Sequence, residues 1–353
     1  MGDMNSDWHA FTGVWLKDHD VPSNGYEKVK TPPWRRRVVE FDESSASNLL
    51  DGTNWNETFR RGKNFVFDLN DEDDSRVVDL VNAALYLQRP ILVKGDTGIG
   101  KSSLAYAIAA ELGLGPVLYW PITSHTTIKD GLYRYDIIRH LQETRPTEKP
   151  QTDAGVYFAL KQLGIAFGNR AKKPRVLLID ELDKADMDLP NDLLHVLEEG
   201  KFQIDELTYS KGPISASEGD HARTPEVRSE GRMAKVEENG WLTCGQFPMV
   251  LMTSNKEREF PEPFLRRCIT IELTKPSKVK LTEIVKRHFG GEISNDSEVG
   301  QLIQKFTIEA SKKHIATDRL LNAIHVFKEF YKLKKFDSLP KGNLVEKILG
   351  IIN

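Results

Sequence analysis

Residues Gly95-Asp96-Thr97-Gly98-Ile99-Gly100-Lys101-Ser102 fit the pattern G-x-x-x-x-G-K-[ST], in which a glycine-rich turn offers its backbone N–H groups to phosphate oxygens. The apolar run Pro90-Ile91-Leu92-Val93 leads into the turn, and a helix-forming run from Ser103 to Leu112 leads out of it. Strand, turn and helix in that order put a helix N-terminus, with its partial positive charge, behind the phosphates. In such a loop Lys101 reaches the β- and γ-phosphates and Ser102 holds Mg²⁺. The stretch predicts a nucleotide site.

Hydrolysis needs a metal-holding acid and a group that orients water. Val176-Leu177-Leu178-Ile179 is an apolar strand-like run that ends in two carboxylates, Asp180 and Glu181. A strand delivers such acids to the sheet edge where open α/β sheets bind ligands. There Asp180 would hold Mg²⁺ and Glu181 would polarise the attacking water. The same pair could equally begin the next helix. A third run, Met249-Val250-Leu251-Met252-Thr253-Ser254, ends in Asn255, which could bond the lytic water or simply close a turn. Arg266 and Arg267 follow Phe260-Pro261-Glu262-Pro263-Phe264-Leu265. They suit phosphate recognition by their planar fork, or C-terminal capping of a short helix.

The rest of the chain must position these groups. Its 353 residues carry a net charge of −3, with 39% hydrophobic and 29% charged residues, so neither nucleic acid nor an anionic membrane is favoured globally. Two cysteines, Cys244 and Cys268, argue against a disulfide framework and fit a reducing, cytoplasmic location. Cys268, after two arginines, could be a reactive thiolate or a small buried residue. No zinc-like spacing, membrane-spanning run or signal peptide is expected.

Residues 1–64 have little periodicity; Trp8, Trp15, Trp34 and Trp55 are expected to pin an extended segment onto the main domain, with Lys28, Lys30 and Arg35 to Arg37 solvated. Residues 65–275 alternate strand-like and helix-like runs, which predicts α/β architecture around a parallel sheet. Within them, 203–247 reads as an inserted loop and hairpin, with Asn239-Gly240 as the turn between Lys235-Val236 and Trp241-Leu242. Residues 276–353 read as helices only, at about 278–289, 297–312, 317–334 and 343–352.

The succession GDTGIGKS, VLLIDELDKAD, VLMTSN and FPEPFLRRC resembles the Walker A, Walker B, sensor 1 and arginine-finger order of an AAA+ ATPase, and the C-terminal helices resemble its lid. The segments from Trp120 to Leu132, Gly155 to Leu160 and Asp188 to Phe202 resemble the MoxR group within it. That resemblance implies a P-loop NTPase core with a helical lid, taking ATP and Mg²⁺. Lys101 and Ser102 match the phosphate and metal contacts, Asp180 the metal acid, Glu181 the catalytic base and Asn255 sensor 1. Arg267, with Arg266 as the fallback, matches a finger acting on the neighbouring subunit. Arg319 falls at the sensor 2 position, although Thr317-Asp318 stands where the group has Ser-Pro. The resemblance further implies a homo-oligomeric ring, of hexamer type, that remodels a client protein with a von Willebrand A-type partner. ATP over GTP rests on the resemblance, and no NKxD motif is present. Two rival readings stay open. One is a nucleic-acid-coupled motor or loader using Lys28 to Arg37 or Lys332, Lys334 and Lys335. The other is a slow nucleotide-gated assembly switch in a bacterial defence module.

Overall fold

The computed structural model describes residues 8–14, 25–35, 50, 53–143, 154–209, 225–237, 239–291, 293, 297–312 and 315–332. Trp15, Arg36, Arg37, Lys334, Lys335 and the helix expected at 343–352 lie outside them.

The α-helices α1 (Thr53–Lys63) and α2 (Glu72–Leu87) precede β1 (Ile91–Lys94), the first strand among the described residues. Then follow α3 (Lys101–Leu112), β2 (Leu118–Pro121), α4 (Ile128–Leu132), β3 (Tyr133–Tyr135), α5 (Ile137–Glu143), β4 (Phe158–Leu160), α6 (Gln162–Gly168) and β5 (Val176–Asp180). The next stretch holds α7 (Asp188–Glu199), β6 (Lys201–Gln203), α8 (Asp205–Tyr209), β7 (Glu226–Ser229), β8 (Arg232–Lys235) and β9 (Trp241–Thr243). Last come β10 (Met249–Ser254), α9 (Glu262–Leu265), β11 (Ile269–Glu272), α10 (Lys278–Phe289), α11 (Glu298–Lys312) and α12 (Thr317–Lys332).

The main sheet is parallel, in the order β11-β1-β10-β5-β2. The central strands β1, β10 and β5 run apolar up to their polar ends because both faces are covered, whereas the edge strands β2 and β11 alternate buried or half-buried residues with exposed ones. Period-two alternation sends Leu177 and Ile179 of β5 into one core and Val176 and Leu178 into the other. On β10, Val250 and Met252 join the first core while Met249 and Leu251 join the second. The second core is closed by α2 and α3, through Val77, Val81, Leu104 and Ile108. Order β1-β10-β5 sets three strand ends side by side at one edge.

The insert differs from the sequence expectation. Its hairpin is β7 with β8, turning at Glu230-Gly231, whose φ values of 46° and 80° are both positive, as a two-residue hairpin turn demands. Asn239-Gly240 is a separate tight turn, with the Gly240 N–H on the Glu237 carbonyl at 2.9 Å. It sends β9 to a different partner, β6, where Leu242 sits opposite Phe202 and both are buried. Core burial of that pair, not local turn chemistry, decides the pairing.

The N-terminal segment is also held differently. Trp34 is 74% exposed, while Phe11 is fully buried. The Asn82 side chain on α2 accepts the N–H groups of Ala10 and Phe11 at 2.8 and 3.0 Å and donates to the Phe11 carbonyl at 2.7 Å. Of the described tryptophans in this region, Trp55 alone is buried, inside an α1 that the sequence reading missed.

Helices α10 to α12 pack around their own core of Leu281, Val285, Ile303, Phe306, Leu320 and Ile324. They touch the rest of the chain through polar links. Lys280 Nζ meets Asp74 Oδ1 at 2.6 Å, Arg287 Nη1 donates to the Phe65 carbonyl at 2.7 Å, and the Thr317 N–H donates to the Gly98 carbonyl at 3.2 Å.

Candidate active site

The loop after β1 turns at Gly98 and Gly100, with φ of 78° and 102°, a region that side chains with a Cβ disfavour. Gly98 is also a close approach: a Cβ there would lie 2.3 Å from that of Ala316, just before α12. Gly100 caps α3 without a side-chain hydrogen bond, so no side chain occupies the first turn's N–H groups. Lys101 is buried beneath this loop, and its ammonium donates to the carbonyls of Gly95 and Asp96 at 2.8 and 2.7 Å and to Asn255 Oδ1 at 2.7 Å. Desolvation by burial lowers its pKa, opposed by the carboxylates of Asp183, Asp180, Asp96 and Glu181.

Asp180 ends β5 and gathers three hydroxyls. Ser102 Oγ and Thr253 Oγ1 each donate to Oδ1 at 2.7 Å, and the Tyr119 hydroxyl reaches Oδ2 at 3.3 Å. Burial raises the pKa of that tyrosine, and the Asp180 charge adds to the effect. Glu181 adopts left-handed backbone, φ 62° and ψ 47°, rare for a residue with a side chain and a form of strain that clusters at active sites. Its N–H is fixed by Thr253 Oγ1 at 2.8 Å, and its half-exposed carboxylate meets Lys184 Nζ at 2.7 Å. Asp183 Oδ2 accepts the N–H groups of Asn255 and Glu257 at 2.7 and 3.1 Å, tying the end of β10 to the turn after β5.

These groups open on a cavity of about 460 Å³, walled by the Thr97–Ser103 loop, Asp180, Glu181, Thr253 and Asn255. Asn64 to Val66 and Ile284, His288 and Thr317 also line it. The residues present fit a nucleoside polyphosphate with Mg²⁺: an uncapped helix N-terminus, a buried ammonium, and a hydroxyl beside a carboxylate, the small oxygen set to which phosphates and water add the remaining ligands.

Of the site residues expected from sequence, the structure brings Gly95 to Ser102, Asp180, Glu181 and Asn255 together. It does not bring Arg266, Arg267 or Arg319 to this cavity. Arg267 pairs with Glu198 and donates to the Pro263 carbonyl at 3.0 Å, while Arg266 stands exposed, 3.4 Å from Glu262. Arg319 is exposed; Thr317, Asp318 and Leu321 line the cavity in its place. Sequence reading missed Thr253, Asp183, Tyr119, Arg60 and Arg61. Thr253 and Asp183 lie beside recognised residues in VLMTSN and DELD, where their hydrogen-bonding capacity was a usable signal. Cys268 is no reactive thiolate: burial pushes its thiol up to about 12. Among the described residues no helix is long and apolar enough to cross a membrane.

Residues 90–268 match the family model of the AAA domain, dynein-related subfamily. No curated protein matches the chain. Solved structures similar to it include a point mutant of RuvB from Thermotoga maritima, 16% identical, covering 80% of this chain and 70% of that one, with a TM-score of 0.42. The RuvB Holliday junction branch migration motor of that organism is 16% identical over 79% of this chain and 68% of its own, with a TM-score of 0.39.

Proposed function

Because the chain belongs to the AAA+ family, through its dynein-related AAA domain, we propose that it binds and hydrolyses ATP as one subunit of a homo-oligomeric ring that remodels a partner protein, in the manner of the MoxR group. Residues 65–275 are the catalytic core, 276–353 the lid and 1–64 an arm. The observation that carries this reading is the contact of Ser102 Oγ with Asp180 Oδ1 at 2.7 Å beneath a loop whose lysine meets Asn255.

Bound Mg²⁺ neutralises phosphate charge in such a site. Lys101 trades its carbonyl partners for phosphate oxygens. Ser102 and Asp180 would hold the metal. Glu181, released from Lys184, orients and accepts a proton from the attacking water. Asn255 fixes that water or the terminal phosphate. Arg267 would exchange Glu198 for the phosphate bound by the adjacent copy, a role compatible with its position off its own cavity. The Thr317 N–H on the Gly98 carbonyl links the phosphate loop to the first turn of α12, so a change in the loop displaces the lid. Displaced lids are the output that a protein client would feel.

Nucleotide titrations and phosphate-release assays test the reading. Lys101→Ala should lose ATP binding, and Glu181→Gln should bind ATP, assemble and fail to turn over. Undiminished turnover by Glu181→Gln would remove the hydrolytic reading.

A further inference from the structure

The arm supplies a wall of the cavity, although Arg60 and Arg61 lie outside the matched stretch 90–268. Helix α1 is amphipathic and buries Trp55, Thr58 and Gly62. At Gly62 it lies so close to α3 that an added Cβ would come within 2.4 Å of the Tyr106 carbonyl oxygen and 2.5 Å of the Ala110 Cβ. One turn earlier, Thr58 Oγ1 accepts the Val117 N–H at 3.2 Å. These contacts fix the last turn of α1 against α3, and Arg61 on that turn is one of the residues that wall the cavity, as are Ser102, Ser103 and Asp180.

The surroundings of Arg61 hold it without neutralising it. Its guanidinium carbon lies over the Tyr106 ring, 3.7 Å from the centroid. Contact through the guanidinium face consumes no N–H donor, so the edges of the fork remain for an oxyanion. Its acidic neighbour Glu57 is 3.8 Å away, at the limit of an ion pair, and both side chains are partly in solvent. Tyr106 follows Ser102 by four residues, hence on the same face of α3, and it feels the charges of both Arg61 and Asp180. The ring that holds this cation thus stands on the face of α3 that carries Ser102. Arg319, the lid arginine expected to contact phosphate, is outside the cavity.

We propose that Arg61 is a phosphate-contacting residue supplied by the chain's own N-terminal helix, so that a bound nucleoside polyphosphate and the seating of α1 on α3 reinforce each other. The proposal rests on the nucleotide site described above. It gives the arm a role: an α1 lifted from α3 takes one cation out of the site, and an occupied site holds α1 down.

Competition titrations with ATP, ADP and adenosine on the full chain test it. Arg61→Met keeps an unbranched stem against Tyr106 and removes the charge. It should weaken ATP and ADP by about tenfold or more, the value of a charged hydrogen bond, and leave adenosine unchanged. Arg61→Lys should fall between Arg61→Met and the unaltered chain. In the unaltered chain, amide exchange across residues 53–63 should slow when ATP binds, and in Arg61→Met it should not. A parallel loss for adenosine, or no loss for any ligand, overturns the proposal and leaves Arg61 a packing residue. Lys101→Ala in the same titration separates the two levels. If it binds ATP normally, the phosphate-loop reading fails; if it loses ATP while Arg61→Met keeps the normal ratios, only the Arg61 proposal fails.

Discussion

The Lys101 ammonium and the Asn255 side-chain carbonyl meet at 2.7 Å, joining the loop after β1 to the end of the adjacent strand β10. The contact fills two needs at once. It gives a buried cation a partner, and it holds the Asn255 amide at the cavity mouth. Asn255→Ala should therefore bind ATP with little loss but turn over about a hundredfold more slowly, the usual effect of removing one preorganised polar group from a reaction centre. Steady-state kinetics check this. A raised KM with unchanged kcat would mean that Asn255 serves binding alone.

Glu111 on α3 accepts the Thr12 N–H at 2.6 Å, the Thr12 hydroxyl at 2.8 Å and the Gly13 N–H at 3.1 Å, so it fastens the arm. Burial pushes its carboxyl from 4.5 up to about 7, against these hydrogen bonds, which favour the ionised form. Between those values the folded chain keeps a proton that the unfolded chain releases. Its contribution to stability is thus fully present below the lower value and is lost as pH rises toward the upper one. The stability of Glu111→Gln relative to the unaltered chain should rise between pH 5 and pH 8 by on the order of 3 kcal/mol. Urea unfolding at both pH values measures it, and a pH-independent difference contradicts it.

The parallel sheet and the three strand-end motifs were legible because each rests on local signals: apolar runs of strand length, a glycine turn, and acids placed directly after a run. Where tertiary packing decides, the sequence was opaque. Asn239-Gly240 is a good turn dipeptide, yet the burial of Leu242 opposite Phe202 sends β9 away from β8. The tryptophans looked like the anchors of the arm, yet the backbone of Ala10 and Phe11, bonded to Asn82 about seventy residues away in sequence, does that work. Arg61 has no local mark of function at all. Its place depends on Gly62 allowing two helices to touch.

Cys244 and Cys268 are both buried, and neither is in a disulfide. Because both are buried, and burial also raises the Cys268 thiol, neither should react with a thiol-specific disulfide reagent at pH 8 in the native chain, and both should react once it is unfolded. Rapid labelling of the folded protein would show that the segment carrying the labelled cysteine, after β9 for Cys244 or before β11 for Cys268, opens locally.

Lys184 holds the Glu181 carboxylate at 2.7 Å, and the exposure of both side chains makes this contact cheap to break. Lys184→Ala should therefore leave the fold's melting temperature within about 2 °C of the unaltered chain, since exposed pairs contribute little. It should raise basal turnover, because the base is no longer engaged. Thermal melts and phosphate release together check this, and a fall in turnover would instead give Lys184 a part in the reaction.

In the proposed ring, Arg267 completes the site of an adjacent copy. Glu181→Gln subunits carry a dead site but an intact Arg267, and Arg267→Ala subunits carry the reverse. Each alone should be inactive. Mixed with ATP at matched concentrations, the two should recover turnover, because a Glu181-bearing site beside an Arg267-bearing neighbour is complete. Absence of recovery at every mixing ratio, with mixed assemblies verified by size, would contradict the shared site.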